Sequence, residues 1–278
     1  MGKRLPFLLS RLTFHLALLV GLATAAALQS SHAPATYLGF DRNQYPGDDS
    51  LAALRKTFRF TSYWLNNPPG ESSNTWKGKR ALLKSRGFGF LVLFNGRTYE
   101  QLRAPADAVA LAMSDGKSAV AAAKNEGFPA GTVIFLDQEQ GGRLLPEQRA
   151  YLYAWVDAVN QAGYRAGGYC SGMPFTEASG ETVITAEDIH RNAGNRIIVY
   201  WVANDACPLP PGCALRAAPV GRSGLSFAEV WQFAQSPLRA QFASGCADYA
   251  ADGNCYAPGT QVFVDLDAAD SPDPSRGR

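Results

Sequence analysis

The run Thr132-Val133-Ile134-Phe135-Leu136-Asp137-Gln138-Glu139 sets an apolar, β-branched stretch directly before two carboxylates two residues apart. Side chains alternate faces along a strand, so Asp137 and Glu139 point the same way. Their Cβ atoms then lie on the order of 7 Å apart from the strand rise. Cleavage of a glycosidic bond uses such a pair: one acid protonates the leaving oxygen and a second group meets the developing cation. Parallel α/β sheets and barrels carry their chemistry at the C-terminal ends of strands, which is where this pair falls.

The elements that must position the pair are legible around it. Strand-like segments recur at Tyr37–Asp41, Phe58–Trp64, Gly89–Phe94, Thr132–Leu136, Ala166–Tyr169, Ile197–Val202, Glu229–Phe233 and Val262–Leu266. Helical patterns lie between the earlier ones. Ser114 is placed to cap a helix that Gly127 stops. Pro146 suits a first helical turn, and Gly163 follows the apolar face of Leu152, Trp155, Val156 and Val159. Thr185-Ala186-Glu187-Asp188 resembles a capping box, with Gly194 beyond it. Strands alternating with helices predict a parallel sheet, and eight of them predict closure into a (β/α)8 TIM barrel. Residues 204–227 and 235–260 are rich in Pro, Gly and Cys, so the late βα units are expected to be irregular. The Pro-Pro-Gly segment near residue 70 reads as an exposed loop. The tail 268–278, with Pro272, Pro274, Arg276 and Arg278, reads as disordered, which leaves 34–267 as the barrel.

In a barrel the strand ends converge on one mouth. The residues so gathered are Asp41, Tyr63, Trp64, Asn95, Asp137, Glu139, Tyr169, Trp201, Asn204, Trp231, Gln232, Asp265 and Asp267. Acids, amides and aromatics together suit a sugar. Each residue also has a plainer use: the tryptophans as core, Asp41 as an acceptor of turn amides, Asp267 as a loop cap. The joint pattern favours a site, because the first and eighth strands are neighbours in a closed barrel.

Composition narrows the partners. Lys3, Arg4 and Arg11, the apolar run Leu12–Leu28 and the small residues of Ser31-His32-Ala33 read as a secretory signal peptide over 1–33. Its removal takes the formal charge from +2 to −1, which gives no electrostatic case for nucleic acid or an anionic membrane. No integral membrane segment is expected after cleavage, and the product is expected to be a monomer, secreted or periplasmic at the cell envelope. Export permits disulfides. Of the five Cys, Cys207 and Cys213 bracket one turn-rich loop and Cys246 and Cys255 another, although four Cys allow three connectivities. Cys170, left over after a strand, reads as a small buried thiol. Three His, two of them at or before the cleavage region, argue against a zinc site or a metal-dependent phosphodiesterase. No cofactor is expected.

The motifs Gly39-Phe40-Asp41, Phe135-Leu136-Asp137-Gln138-Glu139, Tyr200-Trp201-Val202-Ala203, Trp231-Gln232-Phe233 and Val264-Asp265-Leu266-Asp267 come in the order of the family-25 glycoside hydrolases, the bacterial and phage lysozymes. The chain resembles more closely a related group, the secreted glycoside hydrolase-like TIM-barrel domains. Ser114-Asp115-Gly116-Lys117 and Gly127-Phe128-Pro129-Ala130-Gly131 are similar to that group. The resemblance implies Glu139 as general acid, Asp137 as its acidic partner, Asp41 and Asp265 as two further acids, and Trp231-Gln232 as a groove wall. It implies peptidoglycan as substrate, cut between N-acetylated sugars, without a cofactor. The lysozymes usually carry Asn where this chain has Asp267. On this reading Glu139 is protonated and Asp137 ionised. A barrel that binds wall glycan without cutting it is the alternative.

Overall fold

A computed structural model of the chain describes residues 1–2, 35–103, 107–204, 215–235, 257 and 259–278. The strands are β1 (Tyr37–Asp41), β2 (Phe60–Trp64), β3 (Gly89–Asn95), β4 (Val133–Gln138), β5 (Arg165–Ser171), β6 (Pro174–Thr176), β7 (Thr182–Ile184), β8 (Val199–Ala203), β9 (Ala228–Ala234) and β10 (Asp265–Ala269). Eight of them close into a barrel in the order β1-β10-β9-β8-β5-β4-β3-β2, and β6 and β7 form a separate hairpin. The short helices α1 (Leu51–Thr57), α2 (Arg80–Ser85) and α3 (Tyr99–Arg103) precede the longer α4 (Ala108–Asn125), α5 (Pro146–Gln161) and α6 (Thr185–Asn192).

Strand parity divides the side chains between lumen and shell. Phe135 meets Trp201 edge-on inside the barrel, with ring centroids 5.6 Å apart. Tyr169 lies 4.5 Å from the same indole. Gly39 supplies the room such rings need, since a Cβ there would run into the Phe60 ring. On the outer face Phe40 packs on Phe58 and Phe88, and Tyr63 on Trp76, Phe90 and Phe128. Gly116 lets α4 approach α5 closely, because a Cβ there would sit 2.8 Å from that of Ala158.

The structure differs from the sequence-based expectations at five points. Helix α4 starts at Ala108, capped by the Asp107 carboxylate, which accepts from the amides of Val109 and Ala110. Ser114 is therefore interior, because the Ala-rich stretch before it continues the helix. The Thr185 hydroxyl does not cap α6 but donates to the Gly142 carbonyl at 2.8 Å.

The sheet is not wholly parallel: β10 runs antiparallel to both β1 and β9, while the remaining barrel pairs are parallel. The sequence before β10 has no helical periodicity that would carry the chain back across the barrel, and an antiparallel return needs only a loop at one end. The strand also begins three residues later than the expected Val262, so Asp265 opens it instead of closing it.

The tail does not behave as its composition suggests. Ser275 is completely buried. Its hydroxyl accepts from the Val92 amide and its carbonyl from the Val133 amide, each at 2.8 Å. Asp273 accepts from the Phe90 amide, and Arg278 donates to the Phe88 carbonyl. Backbone groups at the starts of β3 and β4 need partners, and the tail supplies them.

The disulfide candidates Cys207, Cys213, Cys246 and Cys255 lie outside the described residues. Cys170 is a free, buried thiol that burial pushes up to about 12. No helix among the described residues is long and apolar enough to cross a membrane.

Candidate functional site

The barrel mouth gathers acids from three strands. Asp41 ends β1, and Asp265 lies opposite it at the start of β10. Asp137 lies near the end of β4, and Glu139 stands one residue beyond that strand. Because β10 is antiparallel, its beginning reaches the same mouth as the ends of the parallel strands.

A hydrogen-bonded chain links the acids below the rim. The Tyr169 hydroxyl donates to Gln232 Oε1 at 2.9 Å, and Gln232 Nε2 donates to Asp41 Oδ2 at 2.8 Å. The phenol thus fixes which way the amide faces. Trp201 Nε1 donates to Asp267 Oδ1 at 3.0 Å. Asp137 Oδ1 is buried and meets no hydrogen-bond partner.

Two cavities open here. One, of about 570 Å³, is lined by Asp41, Trp64, Glu139, Tyr169, Trp201 and Asp265 among others. The second, of about 270 Å³, is lined by Ser171, Met173, Asn204 and Gln232. Glu139, Tyr169 and Gln235 belong to both. Glu139 is the acid on the shared wall.

The surroundings shift these groups upward. Burial raises Asp41 to about 6, with the Glu139 charge adding to it and hydrogen bonds from Gln232 and Asp267 opposing. Burial, then the Glu139 and Asp41 charges, push Asp137 well above the usual carboxylate range. Desolvation raises Glu139, which keeps a solvent-exposed face while protein crowds its carboxyl. Burial and the two neighbouring charges thus raise the proton affinity of Asp137 as well as that of Glu139, against the expectation of a readily ionised Asp137.

Several expected site residues lie elsewhere. Tyr63 faces the outer shell, with its hydroxyl on Glu126. Trp231 is buried on the outer face and donates to the Asn204 carbonyl. In both cases the sequence reading named two adjacent strand residues, and only one of two neighbours can face the lumen. Trp64 and Gln232 are the inward members. Asn95 fastens the loop after β2, donating to the Asn67 carbonyl while its own amide donates to Asn66. Asp267 lies beneath the cavities, fully buried.

Other lining residues were not anticipated. Gln44 donates to Glu71 across the rim at 3.1 Å, so the loop after β2 borders the cavity. Gln235 had a signal, three residues past Gln232. Met173 comes from the entry to the β6–β7 hairpin, whose signal was the β-branched Thr182-Val183-Ile184 after the Ser179-Gly180 turn.

A closed barrel with acids from its first, fourth and last strands at one mouth is similar to the glycoside hydrolase-like folds. Residues 64–188, from the end of β2 into α6, match the family described as Rv2525c-like, glycoside hydrolase-like domain. That is the group the motifs resemble, and the match includes Asp137 and Glu139. The fold is similar to that of an uncharacterized Bacillus stearothermophilus protein (TM-score 0.53, 20% identity, 84% of this chain and 95% of that one). It is similar to the spore cortex lytic enzyme SleM of Clostridium perfringens (TM-score 0.52, 15% identity, 86% and 69%). It is also similar to the catalytic domain of endolysin ply40 from a Listeria monocytogenes bacteriophage (TM-score 0.51, 14% identity, 88% and 100%). No curated protein matches the sequence.

Proposed function

We propose that this protein is a secreted hydrolase of cell-wall glycan, cutting β-1,4 bonds between N-acetylated sugars of peptidoglycan. The observation that carries this reading is the position of Glu139, a solvent-accessible acid with raised proton affinity on the wall common to two cavities. A glycan chain lying across that wall sets its linking oxygen beside the acid, with a sugar on either side. Glu139 is the general acid. Its shift keeps it protonated above the usual carboxylate range, as the role requires.

Asp137 is its partner beneath. Ionising it in the free site is unfavourable, since burial and two neighbouring charges oppose it. A positive charge growing on the sugar ring, or on an N-acetyl group acting as internal nucleophile, removes that penalty. The interaction strengthens as the transition state forms, which is the differential binding that speeds a reaction. Asp41 and Asp265 add negative potential at the same mouth.

A barrel that only binds glycan would present aromatic faces to solvent. Here Trp64, Tyr169 and Trp201 are 4%, 6% and 0% exposed. On the same wall Phe263 is half-buried and Glu139 is exposed, so of the two the carboxylate is the more open to solvent, which favours the hydrolase.

The similarity to lytic enzymes supports the substrate class, and the leader-like segment 1–33 supports export to the envelope. The test is reducing-end release from purified peptidoglycan by the chain without residues 1–33, beside Glu139→Gln. Release by the wild type and at least a thousandfold less by the variant is expected, on the scale of losing an essential proton donor. An equal rate in both would remove Glu139 from the role. Sedimentation with the wall and no release by either would support the binding barrel instead.

A further inference from the structure

We propose that Asp267 is a positioning residue, which holds the Asp41 carboxylate in place through a proton shared between the two side chains. The proposal extends the hydrolase reading by assigning a role to an acid that touches neither cavity.

Asp267 is completely buried on β10, facing Gly39 of β1 in register. The Phe60 ring covers Gly39, which has no side chain of its own to meet Asp267. Trp201 Nε1 donates to Oδ1 of Asp267, while Oδ2 is buried and meets no donor. The Asp267 and Asp41 carboxyls are within hydrogen-bonding reach of each other. Two ionised carboxylates cannot make that bond, so one carries a proton. Gln232, oriented by Tyr169, donates to Asp41 as Trp201 donates to Asp267, so each carboxyl has one outside donor. Asp267 is 0% exposed against 9% for Asp41, so its charge is the costlier to bury; the proton sits on Asp267 and the charge on Asp41. The chain runs from Trp201 through Asp267, Asp41 and Gln232 to Tyr169.

The groups facing this pair agree with that assignment. Strand β4 presents Asp137, with Glu139 just beyond its end, β10 presents Asp265, and β5 presents the Tyr169 phenol. Strands β8 and β9 offer neutral Trp201 and Gln232, and Arg42 lines the cavity just past β1. Burial first, then the Asp41 charge, push Asp267 well above the usual range.

The test uses Asp267→Asn, whose amide can donate to Asp41 and accept from Trp201 but cannot titrate. A buried carboxyl with a raised pKa in the folded state takes up a proton on folding between its unfolded and folded values. Its favourable contribution is complete below the usual carboxylate range and is lost as pH rises through that window. Across the window the wild type should lose up to about tenfold more of its folding equilibrium constant per pH unit than the variant. Parallel pH slopes, offset by a constant, are what a residue that merely packs would give, and they would overturn the proposal. If the variant does not fold, carboxyl-carbon NMR of Asp-labelled chain in an Asp137→Asn background reads the same pair. Two carboxyls moving together in two steps support sharing, and independent single steps in the ordinary range reject it.

On peptidoglycan, Asp267→Ala should lower the rate at least about tenfold, and Asp267→Asn should restore it. Failure of Asn to restore a rate lost in Ala would exclude the positioning role. The stability and NMR measurements need no substrate. A chain that cleaves no glycan yet shows the shared proton counts against the hydrolase reading alone.

Discussion

Asp137 joins two demands that pull apart. Its buried Oδ1 has no partner, and its proton affinity is raised by desolvation and by Glu139 and Asp41. A neutral isostere relieves that strain on the folded state. Asp137→Asn should therefore raise the melting temperature at neutral pH. The stabilisation is about 1.4 kcal/mol for each pH unit between the unfolded carboxylate pKa and the working pH, up to the folded value. Glycan release by the same variant should fall by at least about a hundredfold, since the carboxylate that meets the growing cation is gone. A variant both less stable and fully active would refute the assignment. The acid pair was legible in the sequence because two carboxylates at i and i+2 share a face whatever the rest of the barrel does. The pairs Tyr63-Trp64 and Trp231-Gln232 were harder. Neighbours on a strand face opposite ways, but the sequence does not say which one faces the lumen until the register with the next strand is known. The raised proton affinities of Asp137 and Glu139 were also hidden, because they depend on what lies above each carboxyl.

At the level of elements, the eight barrel strands were visible as apolar runs, and the late irregular units were visible as Pro, Gly and Cys. The direction of β10 was not, since a strand of five residues reads the same either way. Its antiparallel course is what brings Asp265 opposite Asp41 and Asp267 below it. The closing tail was hidden for another reason. Its partners are backbone amides at the starts of β3 and β4, and backbone leaves no compositional trace. Deleting 271–278 strips partners from the amides of Phe90, Val92 and Val133. Each buried amide left unpaired costs about 1–3 kcal/mol. Three of them are a large fraction of the roughly 5–15 kcal/mol that holds a domain folded. The truncated chain should melt at least about 10 °C lower or fail to accumulate as soluble protein. An unchanged melting curve would mean that water satisfies those groups.

Across the whole molecule, the shell and the lumen carry opposite electrostatics. The outside has exposed or half-exposed ion pairs such as Lys79–Asp48 and Arg196–Asp157. Pairs of this kind contribute little and are screened by salt. The lumen gathers Asp41, Asp137, Glu139 and Asp267, all shifted upward and all led by burial. Each binds its proton more tightly folded than unfolded. Each therefore favours the fold below the usual carboxylate range and loses that contribution as pH rises through its raised value. Stability should fall from mildly acidic toward neutral pH. The fall should persist in high salt, because most of the responsible charges, Asp41 and Asp267 above all, are buried away from counterions. Glycan release should decline over the same side of the profile as Glu139 gives up the proton it must donate. Melting curves at low and high ionic strength across this range separate the two origins. A pH slope that disappears in salt would locate it in the surface pairs and remove the lumen acids as its cause. A slope that survives salt and flattens in Asp137→Asn would tie stability and turnover to the same buried protons. Such a barrel would work best under mildly acidic conditions because its site, with several acids crowded at one mouth, tolerates only a few of them ionised at once.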